Sequence, residues 1–181
     1  MIMTVEETRR YITTDEEDRA LAGRLQALEL LIRGYTNNNF QVRGLHCMAD
    51  VAGGTFISET FTPFEVGDTV QVSGSDKNNG LYTVTATTDT TFKVDGKTYD
   101  DIDVYVVKVD YPADVKMGAV NLLKWEIANR DKVGVQSESI SRHSVTYYNM
   151  DGDNSVMGYP KSLMGFLRPY MKARFGRGIG V

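Results

Sequence analysis

The spacing of apolar residues changes twice along this chain, and that change limits the possible folds more than any other feature. Before residue 41, apolar residues recur every three or four positions, as they do on one face of an α-helix. From residue 41 to residue 111 they recur at every second position, as in a strand with one buried face. After residue 112 the helical spacing returns. The sequence therefore predicts an α+β protein whose β region lies between two helical segments.

The first forty residues predict helices. Two capping boxes are predicted, at Thr4–Glu7 and Thr14–Glu17, because in each pair the threonine and the glutamate satisfy free backbone N–H groups. The asparagines at positions 37–39 are typical of a helix end. A helix of about 20 residues is predicted from one apolar stripe, which consists of Leu21, Leu25, Leu28, Ile32 and Tyr35.

The region from residue 41 to residue 111 predicts a small antiparallel β-barrel or sandwich of five or six short strands. Alternation is clearest at 69–73 and 81–85, and a β-rich run at 104–109 closes the region. Asn79–Gly80 and Asp95–Gly96 predict hairpin turns, because such pairs tolerate the positive φ that tight hairpins require.

The last third predicts helices again. One helix is expected from about Ala113 to Asn129, and Pro160 is expected to open another that Pro169 kinks. Between them, Ser139–Tyr148 predicts an extended segment or an irregular arm. The glycine-rich end of the chain, 174–181, predicts a flexible tail.

These segments predict a domain organisation. Three to four helices from residues 1–40 and 112–181 are expected to form a helical bundle. Residues 41–111 are expected to be inserted into that bundle as a small antiparallel β-barrel or sandwich.

Charge is distributed unevenly over a chain whose net charge is −4. Residues 1–40 hold 5 basic and 7 acidic residues, and residues 41–111 hold 5 basic and 11 acidic residues. Residues 112–181 reverse the sign, with 10 basic and 6 acidic residues. This pattern favours an oriented particle with two different faces, and it argues against a dedicated nucleic-acid-binding protein, which would have a basic excess.

The sequence also bears on the compartment. Cys47 is the single cysteine, so no internal disulfide is expected and a reducing compartment is favoured. Charged residues follow Met1 almost at once, so we expect no signal peptide. No run of about 18 apolar residues occurs, so no membrane-spanning segment is expected.

The residues needed for catalysis or metal binding are not arranged in a recognisable pattern. Cys47 follows His46, and neighbours on a strand point to opposite faces, so that pair is a poor dyad, whereas Cys47 with His143 stays open. Asp151, Asp153 and Ser155 have the spacing that opens a calcium loop, but the glycine and glutamate of that loop are missing. We therefore predict neither an enzyme nor a cofactor-binding or metal-binding protein.

Two stretches resemble the head–tail connector (adaptor) proteins of long-tailed bacteriophages. The first combines a short helix, the junction Tyr11–Thr13 and the long helix within 15–40. The second combines the helix around Leu122, Leu123 and Trp125 with the segments 134–140 and 144–147, followed by Pro160, Leu163, Leu167 and Tyr170. Together they cover a little over half of the chain, and many members of the family lack a β region such as 41–111.

The resemblance implies a structural protein of the virion neck, made in the bacterial host cytoplasm. Such a protein forms a homo-oligomeric ring, dodecameric in the virion, that binds the portal protein and then receives the stopper or a tail-completion protein. DNA passes through the ring without specific binding. An alternative reading is an oligomeric module that binds a small ligand or carbohydrate through the β-barrel, with Tyr82, Tyr99 and Tyr105 lining the site.

The basic C-terminal end is the predicted portal-binding segment. From Arg168 onward it carries four basic residues, no acidic residue and two apolar anchors, so it is suited to fold on a partner. The residues expected to contact the portal are Arg168, Tyr170, Lys172, Arg174, Phe175, Arg177 and Ile179.

Overall fold

A closed antiparallel β-barrel of six strands is the largest regular element of the computed structural model, which describes residues 1–129, 137–140, 143–146 and 154–173. The six strands are β1 Gln41–Ala52, β2 Thr55–Ser58, β3 Thr69–Ser73, β4 Gly80–Thr87, β5 Thr91–Val94 and β6 Asp101–Val109. They follow one another around the barrel in the order β1-β2-β5-β4-β3-β6, and β6 pairs with β1 to close it.

The alternating apolar residues of these strands fill the barrel. Phe56 and Phe92 stack with their ring centroids 4.8 Å apart, and the Phe64 ring meets the Phe92 ring edge-on at 5.2 Å. The remaining buried members of this core are Cys47, Ala49, Val51, Val70, Val72, Val84, Val104 and Val106. Because alternate residues point inward, burying this set dictates the register of every strand.

The turns differ from those predicted. Gly53 and Gly54 join β1 to β2 with φ of 55° and 78°, which glycine adopts without strain. The tight turn predicted at Asn79–Gly80 is wrong, because the Asn79 side chain folds back onto the Ser75 backbone and a longer loop joins β3 to β4. Gly96 does take a positive φ of 85°, but β5 pairs with β2 and β4, so Asp95–Gly96 forms no hairpin with β6.

The barrel begins and ends at one place. Gln41 of β1 pairs with Val109 of β6, and the Asp110 N–H donates to the Phe40 carbonyl at 3.0 Å. The Phe40 and Tyr111 rings lie 4.9 Å apart next to this pair. The chain therefore leaves and rejoins the rest of the protein at neighbouring positions.

The chain divides into two compact units. One contains Met1 and Asn39–Tyr111, which includes the whole barrel, and the other contains Ile2–Asn38 and Pro112–Val181. Within the described part of the second unit the helices are α1 Val5–Arg9, α2 Asp18–Thr36, α3 Ala113–Asn129 and α4 Lys161–Met164, followed by the 3-10 helix Gly165–Tyr170. Its short strands are β7 Ser137–Ile140, β8 His143–Thr146, β9 Ser155–Val156 and β10 Tyr159–Pro160.

The helix starts confirm one capping box and not the other. Thr4 and Glu7 cap α1 reciprocally, as predicted. The box predicted at Thr14–Glu17 is wrong, because α2 begins at Asp18 and Thr14 Oγ1 instead accepts from the Glu16 N–H. Four positions of the predicted stripe, at residues 21, 25, 28 and 32, are fully buried on α2.

The prediction of a helical bundle with an inserted barrel is wrong. The closed barrel is the main regular structure, and among the described α-helices only α2 and α3 are longer than five residues. The helix expected after Pro160 is instead a four-residue α-helix followed by a 3-10 helix that contains Pro169, whose ring and missing N–H oppose α-helical bonding. Two long helices with short accessory elements do not enclose the core of a bundle.

One close approach shows how the second unit packs. A Cβ atom at Gly118 of α3 would lie only 2.3 Å from two ring carbons of Phe166 in the 3-10 helix. Real Cβ contacts are never so short, so the absence of a side chain at residue 118 lets the ring lie against the α3 backbone. Gly23 in α2 has no atom within 4 Å of the equivalent position.

We expect Gly118→Ala to lower the free energy of unfolding by about 1–3 kcal/mol, because the added methyl displaces the Phe166 ring. Gly23→Ala is the matched control and should raise it by roughly 0.5–1 kcal/mol, since alanine favours a helix interior over glycine. Urea denaturation followed by circular dichroism measures both. Equal effects of the two substitutions would contradict the close packing of Phe166 on α3.

Candidate functional site

The start of the C-terminal segment is bonded to the end of α2. We call residues 171–173 the strap. The Lys172 N–H donates to the Thr36 carbonyl at 2.8 Å, and Asn37 Nδ2 donates to the Ala173 carbonyl at 2.9 Å. Asn38 Nδ2 donates to the Tyr170 carbonyl at 3.2 Å. The last turn of a helix has carbonyls without helical partners, and here the strap satisfies one of them.

The asparagines at the end of α2 therefore have two roles. Asn37 adopts a left-handed conformation, with φ of 50°, and ends the helix as the sequence predicts. Its side-chain amide, with that of Asn38, also holds the strap. Sequence reasoning missed the second role, because an asparagine run after a helix looks the same whether or not its amides bind a distant segment.

A pocket of about 230 Å³ lies beside the strap, and we call it the strap pocket. Its apolar lining comes from Met164, Met171 and Val156, and two exposed cations, Lys161 and Arg168, lie at its rim. Neither cation forms an ion pair with any residue that the structure describes. The other residues that line it are Tyr35 and Gly165. An apolar pocket with two unpaired positive charges suits an apolar group that lies next to an anion.

A polar bridge fixes the elements that carry this pocket. Arg24 of α2 pairs with Glu16 at 2.9 Å and with Glu126 of α3 at 3.2 Å. The hydroxyl of Tyr159, which directly precedes Pro160 and α4, donates to the other oxygen of Glu126. The hydrogen bond to Glu16 raises the pKa of Arg24, and Trp125 packs on the Tyr159 ring with centroids 5.4 Å apart. The bridge thus ties α2, α3 and the start of α4 together.

The residues predicted to bind a portal have different placements. Arg168 lies exposed at the rim of the strap pocket, and Lys172 is exposed in the strap. The Tyr170 hydroxyl donates to the Asp114 carboxylate at 2.7 and 2.8 Å, which raises the pKa of Tyr170 and fixes its ring within the folded unit. The remaining four, Arg174, Phe175, Arg177 and Ile179, lie outside the described residues.

Cys47 and His46 lie on opposite faces of β1. Cys47 is buried in the barrel core, and burial raises the pKa of its thiol, although a hydrogen bond with Ser58 opposes the shift. His46 is exposed on the opposite face, with Nδ1 2.7 Å from the Arg43 carbonyl. The side chain of His143 lies outside the described part of the chain, and so do Asp151 and Asp153 of the calcium-like spacing. In the part of the chain that the structure describes, no group of three or more histidine, cysteine or carboxylate side chains lies close enough to hold a metal ion.

The three tyrosines of the alternative reading do not share one surface. Tyr82 packs against the barrel core. Tyr105 lies between the buried Val104 and Val106 and therefore points outward, where its ring lies 5.4 Å from His46. Tyr99 is in a loop, where the ammonium groups of Lys97 and Lys77 lie 4.8 and 5.8 Å from its ring centre.

Hydrogen bonds among Ser75, Asn78, Tyr99 and Asp101 connect the β3–β4 and β5–β6 loops, and we call this group the latch. The sequence did not predict it. Asn78 is fully buried and exchanges two hydrogen bonds of 2.8 Å with the Tyr99 backbone. Ser75 Oγ accepts from the Asn78 N–H at 2.7 Å and donates to the Asp101 carboxylate. The bond from Ser75 lowers the pKa of Asp101, and the Ile102 N–H acts in the same direction.

No protein-family model matches this chain, and no curated protein matches it. Within the described ranges, no helix is both long and apolar enough to cross a lipid bilayer.

We expect the Cys47 thiol to react with a disulfide reagent such as DTNB only as fast as the barrel opens. The thiolate is the reactive form, and burial disfavours it. The rate of thionitrobenzoate release in native buffer should be far below that in denaturant, where one thiol per chain reacts. A rapid, complete reaction of the folded protein would show that Cys47 is accessible.

We expect Asp101→Asn to lower the melting temperature at neutral pH, because the variant cannot carry the charge that the latch stabilises. The Asp101 pKa is lowered in the folded state, so its contribution is present above the unfolded value of about 3.9 and is lost as the pH falls through the lower folded value. The difference in melting temperature should therefore shrink in acid. Asp76→Asn, an exposed neighbour, is the control, and an equal pH dependence in both variants would contradict the latch.

Proposed function

We propose that this protein is a ring-forming head–tail adaptor of a long-tailed bacteriophage, which binds the portal protein and receives the stopper or a tail-completion protein. The observation that carries the proposal is the anchored strap. Hydrogen bonds from Asn37, Asn38 and Lys172 fix the point from which the basic residues Arg174 and Arg177 continue. The element order from Tyr11 to Phe40 and from Leu122 to Tyr170 supports the same assignment through the resemblance.

An anchored basic segment suits docking into a ring-shaped partner. The fixed start directly precedes residues 174–181, so it holds their attachment point near a bound partner. In a ring, the modest affinities of many such segments add up to firm attachment. Phe175 and Ile179 are the two large apolar side chains of this segment, and we expect them to pack against the portal.

The acidic charge of the barrel region supports a channel that lets DNA pass without binding it tightly. Residues 41–111 hold 11 acidic and 5 basic residues, so they offer phosphates few cations and release few counterions on contact. A channel of such subunits lets DNA slide. The carbohydrate-binding alternative receives less support, because Tyr82 and Tyr105 face opposite sides of the barrel wall.

We expect deletion of residues 174–181 to abolish binding to the portal while leaving the subunit folded. The deletion keeps the strap, so the bonds to the end of α2 remain and the loss is not one of stability. Co-sedimentation with purified portal rings measures binding, and thermal unfolding checks the fold.

Two charge variants separate the tail from a general loss of positive charge. Arg174→Gln with Arg177→Gln should weaken portal binding, whereas Lys116→Gln with Lys124→Gln on α3 removes the same charge and should bind as the wild type. Undiminished portal binding by the deletion protein would overturn the assignment of the tail. A wild-type protein that neither binds portal nor forms rings on it would overturn the adaptor function itself.

A further inference from the structure

The loop after β2 presents the most exposed aromatic ring in the described part of the protein. Phe61 has 66% of its surface exposed, although an aromatic ring of this size is usually buried. Glu59 and Thr60 before it are also exposed, and so is Asp89 of the neighbouring β4–β5 connection. We call residues 59–62 the Phe61 loop. It combines an apolar side chain with nearby carboxylates.

Three hydrogen bonds hold the backbone of the Phe61 loop in place. Ser58 Oγ donates to the Phe61 carbonyl at 3.3 Å. The Thr62 N–H donates to the Asp89 carbonyl at 2.8 Å, and Thr62 Oγ1 donates to the Thr88 carbonyl at 2.6 Å. A loop whose backbone is already held in place loses less conformational entropy when a partner binds to it. Such pre-organised aromatic residues are typical anchors of protein interfaces.

The strap pocket has the complementary properties. Its volume of about 230 Å³ is below the roughly 300–1,000 Å³ of pockets that enclose a whole small molecule, so it suits a single side chain. Met164 and Met171 line it, and methionine adapts its shape to an inserted aromatic ring and makes favourable sulfur–aromatic contacts. Lys161 and Arg168 at the rim, which form no ion pair with any described residue, suit carboxylates of a partner.

We propose that the strap pocket of one copy of this chain receives Phe61 of a second copy, with Glu59 and Asp89 of the second copy facing Arg168 and Lys161 of the first. Charge complementarity supports this occupant. The region that carries Phe61 has 11 acidic and 5 basic residues, whereas the region that carries the pocket has 10 basic and 6 acidic residues.

A contact of this kind joins two different surfaces, so a pair of copies still has one free strap pocket and one free Phe61 loop for further neighbours. Heterologous contacts of this type generate rings when the rotation between neighbours closes. The inference rests on the proposed function in that an adaptor ring needs such a contact between subunits. It adds the residues that make the contact.

Photo-crosslinking tests the contact directly. Phe61 is replaced by p-benzoylphenylalanine in the full chain, and equal amounts of ¹⁵N-labelled and unlabelled protein are mixed, illuminated with and without portal rings, and digested. We expect crosslinks to Met164 or Met171 in which the two peptides carry different isotopes. The same photo-reactive residue at Ile102, which is 71% exposed elsewhere on the barrel, is the control and should give no crosslink to the pocket.

Charge reversal gives a second readout of the same contact. Arg168→Glu should reduce the yield of mixed-isotope crosslinks roughly tenfold, because a repulsive pair replaces an attractive one. Adding Glu59→Arg to that variant should recover much of the yield. Lys124→Glu, an exposed residue of α3 outside the pocket, is the matched control and should leave the yield unchanged.

The outcomes separate this inference from the proposed function. Portal binding and ring formation without mixed-isotope crosslinks to the pocket would overturn the contact and leave the adaptor function standing. Crosslinks within single chains, or from Phe61 to the portal in place of a second copy, would also overturn it. Mixed-isotope crosslinks in a protein that never binds portal would support the contact and count against the adaptor function.

Discussion

The antiparallel pairing of β1 with β6 is the contact on which the rest of this structure depends. It closes the barrel, so no strand of the barrel keeps an unpaired edge, and it seals a core that includes Phe56 and Phe92. It also brings Phe40 and Tyr111 together, so that the chain departs and returns at one place. Because of that closure, residues 2–38 and 112–181 form one compact unit although 73 residues separate them.

In that second unit a polar network accompanies fully buried apolar residues such as Leu25, Ile32 and Leu122. Arg24 joins two carboxylates from distant parts of the sequence, and Tyr159 binds one of them. Partly buried ion pairs of this kind add little to the free energy of unfolding but favour one arrangement of the helices. A charge that lost its partner would be partly desolvated without compensation. These ion pairs fix the position of α4 and therefore of the rim of the strap pocket. Asn37 and Asn38 fix the position of the strap.

Local patterns in the sequence predicted local structure well where the backbone alone decides the outcome. The apolar stripe of α2 and the capping box at Thr4–Glu7 depend on neighbours three or four residues apart, so both are visible in the chain. β3 and β4 do pair, but the tight turn predicted at Asn79–Gly80 was wrong because the Asn79 side chain bonds to the Ser75 backbone, a contact that turn statistics do not include. The prediction of a helical bundle was wrong because helical spacing does not show whether enough long helices pack together to enclose a core.

The change from helical spacing to alternation, the apolar positions and the division of charge are all visible along the chain. The closure of the barrel, the hydrogen bonds of Asn78 and the pocket between Tyr35 of α2 and Met171 of the strap arise only when the chain is folded. The physical reason is distance along the chain. A period of two or of 3.6 reports the face that a residue presents, but a hydrogen bond such as that from Asn37 to Ala173 depends on every element folded between them.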